Sequence, residues 1–188
     1  EVGQGPRASV TMYDRGHSAT AHMKPGDVDW KRIFNERGVR WFHTGGIFTA
    51  LSDSCAEVVE EAMKAAHEAG TIVSYYLNFR SKLWTSEQAI SVTRDLVQYI
   101  DLLIGNEEDF EKVLGFEIEG TDESYKDLKV DSYKKMVKNV VEEYPNVEIV
   151  GTTLREVVSG LINNWSALFY YEGDFYHSLK FEKLELED

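Results

Sequence analysis

From Val39 onward the chain alternates short runs of β-branched and aromatic residues with longer stretches whose apolar residues recur at helical spacing. VRWFHT (39–44), TIVSYYL (71–77), DLLIG (101–105) and VEIVGTT (147–153) read as strands. The stretch after the first strand places Cys55, Val59, Ala62, Met63, Ala66 and Ala69 on one helical face. Ser54 with Glu57 forms a candidate capping box there, and Gly70 supplies the stop. A second helix is predicted over 86–99, with Ile90, Thr93, Leu96, Val97 and Ile100 aligned. A brief helix over 106–114 follows, then one over 132–144 with Met136, Val137, Val140, Val141 and Tyr144 inward, ended by Pro145. Strands separated by helices of this length are joined by crossovers and lie parallel. The expected fold class is α/β: a doubly wound, mostly parallel sheet covered on both faces.

The two ends of the chain read differently. ASVTMYDRGHSATAHM (8–23) and SALFYYEGDFYHSLKF (166–181) look like hairpins, the second turning at Glu172, Gly173 and Asp174. The polar stretch 120–130 reads as an exposed excursion. One domain is expected over 1–188, with 8–23 as an edge segment and 39–188 as the α/β core.

Charge and cysteine usage narrow the partners. A net charge of −13 repels nucleic acid and anionic membrane surfaces at long range. No apolar run reaches the roughly 18 residues that span a membrane. The single cysteine, Cys55, excludes an internal disulfide, falls in an apolar stripe and fits a reducing compartment, so a cytoplasmic location is expected.

Several familiar sites are missing: the chain has no GxxxxGK[ST] loop, no GxGxxG turn, no HExxH and no CxxC. Attention therefore moves to the carboxyl ends of the strands, where open parallel sheets bind ligands. In SYYLNFRSKLW, Asn78 and Arg80 alternate after a strand and share one side in extended geometry. Arg80 offers a donor fork for a carboxylate or phosphate. The competing reading is an asparagine that stabilises its own turn and an arginine paired with a surface acid.

After the next strand, Asn106 is a good N-cap with Asp109 at the capping-box position, and carboxylates there could also order a hydrated magnesium. Tyr13 and Arg15 offer two donors to a polar anion, although ordinary edge residues explain them equally well. Thr153 and Arg155 end the last parallel strand, and His43 beside Gly45 and Gly46 reads as a structural histidine.

Taken together, YDRGHSA, WFHTGGI, LNFRSKLW, GNEEDF and TTLRE followed by NWSALFYYEGDFYHS resemble the ribokinase-like (PfkB) carbohydrate kinases, specifically those acting on 2-keto-3-deoxygluconate. The resemblance spans nearly the whole chain. It implies ATP and Mg2+ as cofactors and a small sugar acid as substrate, with Tyr13, Arg15 and Arg80 contacting that sugar acid. Asn78, Asn106, Thr153 and Arg155 are implied to lie by the nucleotide, and Asp109 to meet magnesium through water. Tyr76 stands where the family usually has aspartate, and Asp109 where many members have glutamate.

The family's glycine-rich Gly-Asp segment, which carries the base, is absent, and LELED resembles the residues that precede it. The expectation is a ribokinase-like core incomplete at both ends, inactive alone, with self-association covering exposed edges. The alternatives are a binding module of the same fold that performs no catalysis, and a kinase for another sugar.

Overall fold

The computed structural model describes residues 15–118, 130–159 and 161–185. Among these residues seven strands form one mixed sheet. β1 (Trp41–Gly45), β2 (Ile72–Tyr76), β3 (Leu102–Gly105) and β4 (Ile149–Val157) run parallel in that order. β5 (Ile162–Tyr171) then pairs antiparallel with β4, and both β6 (Asp174–His177) and β7 (Phe181–Glu185) pair antiparallel with β5. The turn between β5 and β6 uses Glu172 (φ 49°) and Gly173 (φ 90°), the two successive positive φ values that match the twist of a tight hairpin.

Helices join the parallel strands: α1 (Gly46–Thr49) and α2 (Asp53–Glu68) after β1, α3 (Ser86–Leu96) after β2, α4 (Glu107–Leu114) and α5 (Val130–Glu143) after β3. Thr85 and Gln88 cap α3 reciprocally, as Asn106 and Asp109 cap α4. Two local expectations are corrected. Ser52, with extended backbone, caps α2 by accepting from the Cys55 N–H, so the capping box on Ser54 does not form. Ala19–His22 is a 3-10 turn where a hairpin was expected; residues up to 14 lie outside the described residues, as does most of the predicted 120–130 excursion.

Strand alternation divides the sheet into two chemically different faces. Phe42, Val73, Tyr75, Leu103 and Val150 point to the side where Val59 and Met63 of α2, Leu96 of α3, Phe110 of α4 and Val137 of α5 complete the core. Cys55 is buried, as expected, with its Sγ against the Thr20 carbonyl, and in the core Tyr75 donates to or accepts from Thr49 Oγ1 at 2.9 Å. The opposite face carries Trp41 (50% exposed), Ile72 (41%), Phe169 (39%) and Trp165 (37%). The expected cover on both faces is thus met on one face among the described residues.

The amino ends of the strands are tied by side chains. Asp101 accepts the Val73 N–H on its carboxylate at 2.7 Å and the Glu148 and Ile149 N–H groups on its carbonyl. Asn146 donates to the Val97 and Ile100 carbonyls at 2.8 and 3.0 Å, stopping the 3-10 turn that follows α3.

Candidate functional site

At the carboxyl ends, β1 and β2 approach more closely than a side chain allows. A Cβ on Gly46 would lie 2.1 Å from the Leu77 carbonyl oxygen, and one on Gly45 would lie 2.7 Å from that of Tyr76. Only glycine admits backbone this near to backbone, so WFHTGGI seats α1 directly on the end of β2.

Beyond that contact the chain turns at Asn78, a non-glycine residue in the left-handed region (φ 41°). Its Oδ1 is buried and has no hydrogen-bond partner. An unpaired buried acceptor costs about 1–3 kcal/mol and strained backbone about 1–3 kcal/mol. Asn78 thus holds a left-handed turn position that asparagine tolerates, while its side-chain oxygen bonds nothing in that turn. Arg80 is exposed, donates from Nη1 to the Phe79 carbonyl at 2.6 Å, and has no carboxylate within ion-pair distance among the described residues. The guanidinium edge that does not hold the loop is open to an anion.

Asp109 fixes this loop from below. Its carboxylate accepts the Phe79 N–H at 2.7 Å and the Asn106 N–H at 3.0 Å, while its own N–H donates to Asn106 Oδ1 at 2.8 Å. One buried side chain thereby spans the ends of β2 and β3. Burial raises its pKa above the ordinary carboxylate value, against the lowering effect of those two N–H groups and of nearby Arg80. The Tyr76 phenol is also pushed up, first by burial and then by the Asp109 charge.

Glu107, half-buried at the start of α4, is raised by burial and held down by the charge of Arg155 on β4. The acid reads in sequence as an ordinary partner of the helix dipole, so nothing there marks its approach to Arg155. Thr153 and Arg155 alternate along β4 on the face opposite the helices, just past the Gly105–Thr152 pairing that ends the β3 register.

Tyr76, Asn78, Arg80, Asn106, Glu107, Asp109 and Arg155 thus gather at one end of the sheet. Arg15 belongs to a segment that packs on the amino end of α2, where Ser52 and Cys55 bond the Ala21 and Thr20 carbonyls. Tyr13 lies outside the described residues.

The site's donors do not fit a magnesium ion held by the protein alone. Among the described residues no three His, Cys, Asp or Glu side chains converge, and Asp109 is buried with both oxygens engaged. Asp109 has the geometry of a strut. We expect Asp109→Asn to cost about 1–3 kcal/mol, because one backbone N–H then faces an amide donor; denaturant unfolding measures the loss. Since the folded-state pKa is raised, the folded chain binds the proton more tightly than the unfolded chain. Stability then falls as pH climbs from the ordinary carboxylate pKa through the raised one, and the Asp109→Asn protein should lack that part of the slope.

A crystal structure of 2-dehydro-3-deoxygluconokinase from Thermotoga maritima is 40% identical and superposes with a TM-score of 0.87, covering 100% of this chain and 55% of that one. A PfkB family carbohydrate kinase from Listeria grayi is 27% identical with a TM-score of 0.77, covering 99% of this chain and 53% of that one. The 2-dehydro-3-deoxygalactonokinase of Haloferax volcanii is 33% identical over 114 residues, 61% of this chain and 35% of that protein. The chain therefore spans about half the length of these structures and about a third of the curated relative. The ribokinase-like fold expected from the sequence is the fold observed. The model of the pfkB family of carbohydrate kinases matches residues 3–150, well over half of the chain, and the chain belongs to that family.

Proposed function

We propose that this chain is the ligand-binding core of an ATP-dependent kinase for 2-keto-3-deoxy sugar acids, which phosphorylates 2-keto-3-deoxygluconate at its 6-hydroxyl. The observation that carries the reading is the pair at the end of β2: a buried Asn78 oxygen without a hydrogen-bond partner beside an exposed Arg80 with no carboxylate at ion-pair distance among the described residues. Arg80 presents its fork to the sugar-acid carboxylate or the moving phosphoryl, with Tyr13 and Arg15 extending the sugar-acid side. Asn78 accepts a hydrogen bond from the ligand, and Asn106, whose Oδ1 is spent on the cap, keeps its amide nitrogen for a phosphate oxygen. Thr153 and Arg155 line the nucleotide side.

Magnesium bound to the nucleotide phosphates would supply charge neutralisation there. Phosphoryl transfer depends mainly on positioning and electrostatics, and these residues provide both. The γ-phosphoryl leaves the β–γ bridging oxygen for the sugar hydroxyl, whose proton needs a base. The sequence offers no glycine-rich segment ending in Gly-Asp for it, so the reading assigns the base to polypeptide beyond these 188 residues.

The test is a coupled ATP-consumption assay with 2-keto-3-deoxygluconate and its galacto epimer, run on this chain and on a longer polypeptide that contains it. Turnover by the longer protein alone is the expected result. Silence from both, with sugar-acid binding retained, would favour a binding module that performs no phosphoryl transfer.

A further inference from the structure

Tyr76 ends β2 on the side of the sheet away from Tyr75 and the helices, between two neighbours that offer its hydroxyl nothing. On β1 it pairs with Gly45, where a Cβ would come within 3.4 Å of the Tyr76 Cβ. Glycine leaves that flank of the ring without a side chain. On β3 it pairs with Ile104, half-buried and purely apolar. The Tyr76 ring is itself half-buried, and among the described residues its hydroxyl has no hydrogen-bond partner. A tyrosine sunk this far normally finds a partner for its polar tip.

Two charges stand near the phenol. Asp109 reaches the loop after β2 through the Phe79 N–H at 2.7 Å, and Arg80 follows directly. Burial and then the Asp109 charge hold the proton on the phenol, against the opposing effect of Arg80. Tyr76 is therefore a donor throughout the neutral range, close to the guanidinium edge that the Phe79 carbonyl leaves open. Asp109 is already engaged, since its carboxylate accepts the Phe79 and Asn106 N–H groups. Two neighbouring donors without an acceptor between them suit one group, an anionic oxygen. We infer that the Tyr76 hydroxyl donates to the same anionic group of the ligand as Arg80, a carboxylate or a phosphoryl, and so helps to set which anion the site accepts. The identity of that ligand rests on the kinase reading; the pairing of the two donors does not.

Calorimetry on the 188-residue chain and its Tyr76→Phe, Arg80→Ala and doubly substituted variants tests the pairing. 2-Keto-3-deoxygluconate and the magnesium complex of ATP are titrated separately, which tells a carboxylate from a phosphoryl. Phenylalanine keeps the ring and removes only a hydroxyl without a protein partner, so Tyr76→Phe should unfold at the unsubstituted chain's temperature. It should weaken one of the two ligands about 10-fold, the same one that Arg80→Ala weakens. Because both donors serve one acceptor, the double variant should bind at least about threefold more tightly than the product of the single losses requires. Tyr76→Asp should lose more than Tyr76→Phe, since it sets a second negative charge beside the arriving anion. Unchanged affinity for both ligands in Tyr76→Phe overturns the inference and leaves the kinase reading standing. Losses that multiply independently, or that fall on different ligands, overturn it as well. If the unsubstituted chain binds neither ligand, the kinase reading fails and inorganic pyrophosphate decides: a coupled loss in the two variants supports the pairing, and undiminished or absent binding overturns it.

Discussion

Gly46→Ala should be the most destabilising single methyl that this chain can be given near the site. The added Cβ falls 2.1 Å from the Leu77 carbonyl oxygen and 3.2 Å from its carbon, and both are backbone atoms that no rotamer change can move. Overpacking typically costs 1–3 kcal/mol, and here we expect about 3 kcal/mol or more. At roughly 2–4 °C per kcal/mol for a chain of this size, thermal unfolding should drop by about 6–12 °C. Gly70→Ala is the comparison: it meets nothing within 4 Å and bears only the strain of φ 71°, about 1 kcal/mol. Equal losses for the two would mean that α1 is not seated on β2 as described. The consequence reaches ligand binding, because the displaced carbonyl immediately precedes Asn78.

Arg80→Ala should do the reverse, leaving the fold intact and removing recognition. The side chain is exposed and, among the described residues, its hydrogen bond goes to the neighbouring carbonyl, so stability should change by less than about 0.5 kcal/mol. Charge-assisted hydrogen bonds contribute about 1.5–3 kcal/mol, which predicts roughly 10- to 100-fold weaker binding of 2-keto-3-deoxygluconate in calorimetry. Arg80→Lys should fall between, keeping the charge and losing the planar fork. Undiminished affinity in the alanine protein would move carboxylate recognition to another residue.

Much of this arrangement was visible in the sequence because it depends on local periodicity. Four apolar runs and the helical faces between them give the parallel strands and α2 to α5 to within a few residues. The cap of α4 is equally local, and Asn106 and Asp109 form it as their spacing predicts. What escaped depends on three dimensions. Ser52 and Ser54 are both plausible caps two residues apart; only the extended backbone at Ser52 (φ −165°, ψ 163°) selects it. Helical faces tell that a helix is covered, not which side of the sheet it covers, so the bare face around Trp41 and Ile72 could not be read.

In the site, Asn78 and Arg80 stood out as polar residues after an apolar run. The left-handed turn at Asn78 and the missing partner for Oδ1 have no local signature. Glu107 was hidden because a first-turn acid is already explained by the helix dipole. Its meeting with Arg155 requires β4 to run on to Val157, beyond the strand that the residues alone suggest.

The clamps at the amino ends of the strands have a kinetic corollary. There Asp101 and Asn146 together hold three N–H groups and two carbonyls across three segments, whereas beyond the carboxyl ends of β2 and β3 the loops are joined through Asp109 and carry an unsatisfied asparagine. Opening fluctuations start where restraint is weakest. Amide hydrogens of the same strand should therefore exchange on different clocks, slowly at Val73 and faster toward Leu77. A ligand that fills the gap at Asn78 should draw the two ends toward a common rate.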